Sequence, residues 1–231
     1  MAGETAKTAA ICLAIYPWSN TSHIVSWLTP QGRITTSVKG AVRPKSAFLG
    51  QYDLNYECDI VYYTRAHKDI HALRECSPSN LHEFLRSDWR KLLLADHFRM
   101  IAGTLAPYGP DAEEWFNLLS SYTKKLHDAD NLLALMLAFE IEALNLSGLP
   151  PHVEAQNGYF ALRGERKLKI APSTAQCISN PLNEKKYQIL LDTSRVIGVF
   201  YSFHLEDVPK TRRYVLQAIQ QKDKEDKVTN G

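Results

Sequence analysis

The clearest pattern of apolar and polar positions lies in residues 23–46, where two alternating runs are separated by Pro30 and Gly32. In the second run Ile34, Thr36 and Val38 alternate with polar residues, as in a strand with one face toward a core. Pro presets a negative φ and Gly permits a positive one, so the segment between the runs suits a tight turn. The pattern predicts a β-hairpin followed by an exposed basic loop.

Further strands are predicted at residues 9–16, 47–57, 59–65 and 70–75, which are rich in aromatic and β-branched residues. In the first, Ile11, Leu13 and Ile15 are expected on one face, and the segment from Pro17 ends the strand. Five or six short strands without an intervening helical pattern favour a small closed barrel. An OB-type barrel is the first choice and an SH3-like barrel the second.

The period changes at residues 77–80, and the remainder is predicted to be mainly helical. The fold class is therefore α+β, with a barrel domain at 1–78 and a helical domain at 79–231. Asp111 is expected to cap a helix together with Glu114. The predicted helical segments are 94–105, 111–126, 131–146, 183–191 and 208–220, with a small hairpin at 158–170.

Composition adds a local asymmetry to this picture. The chain has 231 residues, 45% of them hydrophobic, and a net charge of +2, so any anion binding must come from clustering. The segment from residue 5 to residue 52 contains five Lys or Arg and no Asp or Glu. A solvated face would normally interleave both signs, so this segment favours nucleic acid.

The predicted phosphate contacts are Arg33, Lys39, Arg43 and Lys45. Trp27, Phe48 and Tyr52 could stack on bases, although Trp27 and Phe48 fit a barrel core equally well. A second basic cluster lies on the predicted hairpin and is less specific, because charged hairpin tips are often merely solvated. Its members are Arg163, Arg166, Lys167 and Lys169.

No catalytic constellation is encoded. Phosphate-binding glycine loops, an HExxH motif and a nucleophile elbow are all absent from the sequence. His67 and His71 lie beside a predicted strand, where a spacing of four does not favour a shared metal. Glu140, within an apolar helix, is expected to pair with Arg99 or Arg195 in a structural role. We therefore expect no enzyme.

Four dispersed cysteines encode neither a zinc knuckle nor a disulfide framework and favour a reducing cytoplasm. The N-terminus does not resemble a signal peptide. The most apolar segment, residues 132–139, is shorter than the ~20 residues of a membrane span. No membrane role is predicted.

Several short motifs resemble the bacterial recombination mediator family RecO across nearly the whole chain. In the N-terminal part they are Tyr16, Ser19, Leu28-Thr29, Gly32, Lys39-Gly40, Arg43 and Ser46. Downstream they are Phe139-Glu140, Leu144, Gly148, Pro151 and the segment 209–216.

The resemblance implies an OB-fold followed by a helical domain, binding single- and double-stranded DNA without sequence preference. It further implies remodelling of single-strand-binding protein, strand annealing and help to RecR in loading RecA. The location implied is cytoplasmic and nucleoid-associated. Many family members have a four-cysteine zinc site after the central helix, but residues 151–158 contain no cysteine, so no metal or cofactor is expected.

Two other interpretations stay open at the sequence level. The barrel could be an adaptor for an acidic peptide, such as the tail of single-strand-binding protein, or an RNA-binding barrel. A separate tail site in the helical domain would need cations beside an apolar groove. The candidates are Lys124, Lys125, Arg212 and Arg213.

Overall fold

The computed structural model describes residues 4–64, 68–110, 112–154, 158–162, 164, 166–205 and 209–229, with side chains up to residue 221. The contacts within the chain divide it into two units. The first unit comprises Met1–Ser87 and Ala102–Lys124, and the second comprises Asp88–Ile101 and Lys125–Gly231. The predicted domain limits at 1–78 and 79–231 remain a prediction.

Five strands of the first unit form a closed barrel in the order β1-β2-β3-β5-β4. Strands β3 and β5 are parallel, and the other neighbours are antiparallel. This arrangement confirms the predicted OB-type barrel and the α+β class. The strands are β1 Thr5–Ser19, β2 Ser22–Thr29, β3 Gly32–Val38, β4 Glu57–Tyr63 and β5 Ile70–Asn80.

The central hairpin has the predicted form. Strands β2 and β3 pair antiparallel from His23 opposite Val38 to Thr29 opposite Gly32. Thr36 and Val38 are fully buried, and Ile34 packs against the barrel core, as the alternation predicts.

In β1 the predicted face is wrong. The barrel core contains Ala10 and Cys12, whereas Ile11 and Leu13 are buried outside that cluster. A β-bulge leaves Leu13 as an extra residue, because Cys12 pairs with Trp27 and the next pair is Ala14 with Ser26. A bulge reverses the alternation, so Ile15 lies on the core side.

The expected strand at residues 47–57 is also wrong, because only Glu57 belongs to a strand. Reverse-turn hydrogen bonds occupy this segment, including Leu49 N–H to Ser46 O and Gln51 N–H to Phe48 O. Gly50 has a φ of 74°, a left-handed conformation that is incompatible with an extended run. Phe48 and Tyr52 face inward because they pack on the barrel core.

The helices form as predicted in the middle of the chain and differ toward its end. The short 3-10 helices are Glu83–Arg86 and Pro181–Asn183. The α-helices are α1 Trp89–Leu105, α2 Glu113–Lys125, α3 Leu132–Leu146, α4 Pro172–Ser179, α5 Tyr187–His204 and α6 Thr211–Thr229.

Helix α3 is the central helix of the second unit, and most of its side chains are buried on all sides, as predicted. The Asn131 side chain caps its start by accepting a hydrogen bond from the Ala134 N–H at 3.0 Å. Gly148, with a φ of 74°, follows its C-cap. The expected cap at Asp111 lies outside the described residues. Within the described ranges, no helix combines the length and apolar composition needed to cross a membrane.

The second unit also contains the predicted hairpin, enlarged to three strands. The strands are β6 Val153–Glu154, β7 Tyr159–Ala161 and β8 Lys167–Lys169. Helix α4 has no counterpart among the predicted elements. The helix expected from residue 183 begins only at Tyr187, because Pro181 starts a 3-10 turn that occupies residue 183.

The predicted partners of Glu140 are wrong. Arg99 pairs with Asp96 and Arg195 with Asp192, each within its own helix. The buried Glu140 carboxylate instead accepts hydrogen bonds from Arg212 of α6, and His97 Nε2 lies 2.9 Å from its Oε1. Glu140 thus has the structural role expected of it, but its partners are Arg212 and His97.

Candidate nucleic-acid interface

A cleft of about 990 Å³ lies on the barrel of the first unit. It crosses strands β2 and β3 and is bordered by the β1–β2 turn and by residues just before β5. This is the part of an OB barrel that binds oligonucleotides and oligosaccharides. The cleft is lined by Trp18, Ser19, Ser22, His23, Ile24, Ser37, Lys39, Gly40, Arg43, Lys68, Asp69 and Ile70.

Three cations converge on the cleft. Lys39 and Arg43 come from the loop after β3, where Gly40 has a φ of 67° and its carbonyl accepts a hydrogen bond from the Arg43 N–H. This turn brings the two predicted cations to the same surface. The third, Lys68, precedes β5, the strand that pairs with β3. Asp69 is the acidic residue of the lining.

Trp18 contributes an aromatic face to the cleft. Pro17 pairs with His23 and Ser19 with Ser22, so Trp18 is an extra residue of β1 opposite the β2 ladder. Bulges at barrel rims re-aim side chains in this way. The Trp18 side chain is consequently 71% exposed.

Sequence reasoning missed both Trp18 and Lys68. The available signal for Trp18 was an aromatic residue beside a turn, and that for Lys68 was the basic run at residues 65–68. Of this run, residues 65–67 lie outside the described residues, so the expectation that His67 and His71 share no metal stays a prediction. His71 itself stacks on the Tyr62 ring at 5.3 Å.

Trp27 is unavailable for stacking on a base, so of the two roles that the sequence left open for it the place in the barrel core is the one observed. It is fully buried in the barrel core, and its Nε1–H donates a hydrogen bond of 2.9 Å to Thr36 Oγ1. Tyr52 is half-buried, its ring meets Trp27 edge-on, and its hydroxyl lies 2.8 Å from His23 Nδ1. Burial raises the pKa of Tyr52, with Cys12 and Cys76 acting in the same direction. Tyr52 therefore supports His23 of the lining and does not itself line the cleft.

Arg33 does not line the cleft either. Its backbone N–H donates to Pro107 O at 3.2 Å, its guanidinium donates to Gly103 O, and its Cζ lies 3.7 Å from the Tyr108 ring centre. Burial lowers the pKa of Arg33, although Tyr108 acts in the opposite direction. Gly32 approaches Gly109 so closely that a Cβ would lie 2.6 Å from its carbonyl oxygen. Arg33 thus fixes the tip of the hairpin to the last turn of α1 and to the segment that follows it.

Lys45 is exposed on the loop after β3 but is not part of the cleft lining. In the second basic cluster, Lys167 forms an ion pair of 2.6 Å with Glu154, and Arg166 lies over the Phe203 ring. Arg163 lies outside the described residues. The described members of this cluster therefore include one cation that is already neutralised by a partner.

The four predicted tail-binding cations are not equivalent. Arg212 is wrong for this role, because its guanidinium is buried and is held by Glu140 and Ser194. Lys124 Nζ lies 3.2 Å from Glu57 Oε2 and donates a hydrogen bond of 2.8 Å to Ser120 Oγ. Its charge is therefore partly neutralised by a carboxylate of the first unit. Lys125 and Arg213 are exposed and stay candidates.

Metal ligands are not brought together in the part of the chain that is described. No three His, Cys, Asp or Glu side chains there are placed to hold one ion. The four cysteines, all within the described ranges, are buried and not joined in disulfides. For Cys58, a hydrogen bond with Cys76 and burial raise the pKa of the thiol, which keeps it protonated.

The strand order defines an OB-type barrel, and a cleft with three cations lies on the face of its strands β2 and β3. Residues 1–82 match the family described as "Recombination protein O N terminal". The match covers the whole barrel. The barrel is therefore similar to that family in sequence as well as being OB-type in fold.

Three curated relatives are each described as "DNA repair protein RecO". The protein of Alkaliphilus metalliredigens is 26% identical over 134 residues, covering 57% of this chain and 53% of its own length. That of Syntrophus aciditrophicus is 25% identical over 152 residues (65% and 58%), and that of Geobacter metallireducens 27% over 146 residues (63% and 59%). The chain thus spans less than two thirds of each relative. These matches confirm the resemblance found in the sequence: the chain is similar to DNA repair proteins described as RecO.

Proposed function

We propose that the barrel cleft binds DNA without sequence preference and that the chain acts in DNA repair and recombination. The observation that carries the proposal is the convergence of Lys39, Arg43 and Lys68 on one cleft of an OB barrel. The described function of the three relatives points in the same direction.

The chemistry of the lining favours contacts to the DNA backbone. Lysine and arginine neutralise phosphates, and hydroxyl groups such as those of Ser19 and Ser22 donate hydrogen bonds to phosphate oxygens. Such contacts position a strand but do not read its bases. Binding through this set should therefore depend on salt and little on sequence.

Fluorescence anisotropy with a labelled oligothymidine at several salt concentrations tests the proposal. For single strands each lost phosphate contact flattens the slope of log affinity against log salt by about 0.7. Replacing Lys39, Arg43 and Lys68 by Ala should therefore flatten it by about 2. The matched control replaces Lys7, Lys185 and Lys210, three exposed lysines outside the lining that remove the same charge.

An unchanged slope in the cleft variant, or an equal change in the control, would show that the cleft does not bind the backbone. An RNA strand of the same sequence is measured in parallel. If RNA binds more tightly than DNA at every salt concentration, the protein is an RNA-binding barrel.

Beyond DNA binding, we propose that the chain works as a recombination mediator and has no catalytic activity of its own. It would anneal complementary strands covered by single-strand-binding protein and, with RecR, help to load RecA, in the bacterial cytoplasm at the nucleoid. The support is the RecO family match. Annealing of two complementary labelled strands, with and without single-strand-binding protein, tests this role, and the cleft variant should anneal more slowly.

A further inference from the structure

We infer that Trp18 stacks on an unpaired base, and that this contact makes the cleft prefer single strands to duplex DNA. The inference rests on the proposed function, since it names which form of DNA the same cleft favours. It assigns to Trp18 a role that Trp27, the tryptophan expected from the sequence, cannot fill in this fold.

The backbone is arranged to present Trp18. In the β1–β2 ladder Pro17 pairs with His23 and Ser19 with Ser22. Trp18, between them in β1, has no residue opposite it in β2 and so leaves the regular alternation of the ladder. Bulges of this kind cluster at barrel rims and binding sites, where they redirect one side chain. Here the redirected side chain lines the cleft that contains the three cations.

Exposure distinguishes Trp18 from the other tryptophans. Trp27 and Trp115 are 0% and 3% exposed, as expected for large apolar side chains, whereas Trp18 is 71% exposed. Trp89, at 53%, belongs to the second unit and not to this cleft. An indole is worth burying against an apolar partner, and a nucleobase offers a flat face of suitable size.

The form of DNA decides whether such a face is available. In a duplex each base is stacked on its neighbours, so an aromatic side chain can reach its face only after unstacking, which costs a few kcal/mol. In a single strand the faces are accessible, and the phosphates still meet Lys39, Arg43 and Lys68. The cations should therefore bind the phosphates of both single-stranded and duplex DNA, whereas Trp18 should contact a base of the single strand alone.

The test compares the full-length chain with Trp18→Ala and Trp18→Phe on three probes of about 20 nucleotides, a length that exceeds one OB site of about 4–16 nucleotides. The probes are oligothymidine, an abasic strand of the same length and a duplex. Trp18→Ala should weaken oligothymidine binding by about 5- to 150-fold, the range for one stacked base, and leave the other two unchanged. Trp18→Phe should recover part of the loss, because it keeps a ring.

Tyr16→Ala is the matched control, since Tyr16 is an exposed aromatic residue of the same strand but not of the lining. It should bind all three probes as the unaltered chain does. A direct readout uses a Trp89→Phe background, in which Trp18 is the remaining exposed tryptophan of the four. Oligothymidine should quench its fluorescence and protect it from acrylamide, and the abasic strand should not.

The outcomes separate the two claims. If Trp18→Ala leaves oligothymidine binding unchanged while the triple cleft variant weakens it, the stacking inference is wrong and the proposed function stands. Equal weakening on all three probes also overturns the inference, because Trp18 then affects the cleft as a whole. If the triple cleft variant binds every probe normally, the proposed function itself fails.

Discussion

Removing Arg212 should destabilise the second unit more than removing any exposed arginine. Its Nε donates to Glu140 Oε1 at 2.8 Å, and its Nη2 donates to Glu140 Oε2 at 3.2 Å and to Ser194 O at 2.8 Å. Burial by itself would raise the pKa of Glu140, but Arg212 and His97 outweigh it and the pKa is lowered. The carboxylate is thus held charged at 0% exposure by these partners.

Breaking one side of a buried ion pair costs about 3–5 kcal/mol, because it leaves an uncompensated charge. Arg212→Met keeps much of the side-chain volume, so we expect a loss of that size in the free energy of unfolding. A typical domain has only about 5–15 kcal/mol in total. The double variant Arg212→Met with Glu140→Gln removes both charges and should be less destabilised than the sum of the two single variants.

Urea unfolding followed by circular dichroism measures these differences at neutral pH. Arg195→Met is the matched control, since Arg195 is 70% exposed and pairs with Asp192 within one helix. Such exposed pairs contribute about 0–1 kcal/mol. If Arg212→Met costs no more than Arg195→Met, or if the double variant shows simple additivity, the buried pair is not what holds α6 to α3.

Four further predictions follow from the described contacts. Gly32→Ala should lower the urea midpoint, because a φ of 131° and a Cβ 2.6 Å from Gly109 O both oppose it, at a cost of about 1–3 kcal/mol. Burial would raise the pKa of Glu57, but the nearby His82, the hydrogen bond from Ser120 and the ammonium of Lys124 outweigh it and lower the pKa from 4.5 to about 2. Its stabilisation is therefore complete above pH 4.5 and lost as the pH falls through about 2, so the difference in urea midpoint between the unaltered chain and Glu57→Gln should shrink over that range. Asp69→Asn should tighten DNA binding, measured by anisotropy at low salt, because it removes the anion from the cleft lining. Charge reversal at Lys125 or Arg213 should abolish binding of the acidic tail peptide of single-strand-binding protein, measured in a pull-down. The affinity for DNA should stay nearly unchanged. If only the cleft variant loses the peptide, there is no separate tail site.

The sequence was sufficient for the barrel and the central helices because their patterns are long and regular. The alternation in β3 and the apolar run of α3 each agree with one period over many residues. The strand predicted at residues 47–57 was wrong because aromatic residues suit both a strand and a turn that packs on a core. The turn signals in this segment were Gly50 and Asn55, which have φ values of 74° and 66°.

The candidate site was predictable only where its residues are neighbours in the chain. The acid-free segment located Lys39 and Arg43, but Lys68 reaches the same cleft through the parallel pairing of β3 with β5, which no local pattern encodes. Local alternation could have excluded one wrong assignment, since Trp27 shares its face with the buried Val25.

A similar argument separates the two adjacent arginines of α6. Arg212 precedes the buried Val215 by three residues, which places both on one helix face, whereas Arg213 faces away from it and is exposed. The helical periodicity therefore predicts which of the two arginines is buried, but it does not predict which residue pairs with the buried one. Its partner Glu140 lies 72 residues earlier in the sequence, and only the packing of α6 on α3 brings the two together. Trp18 shows the same limit at the cleft, because a single extra residue in the ladder decides which way its side chain points.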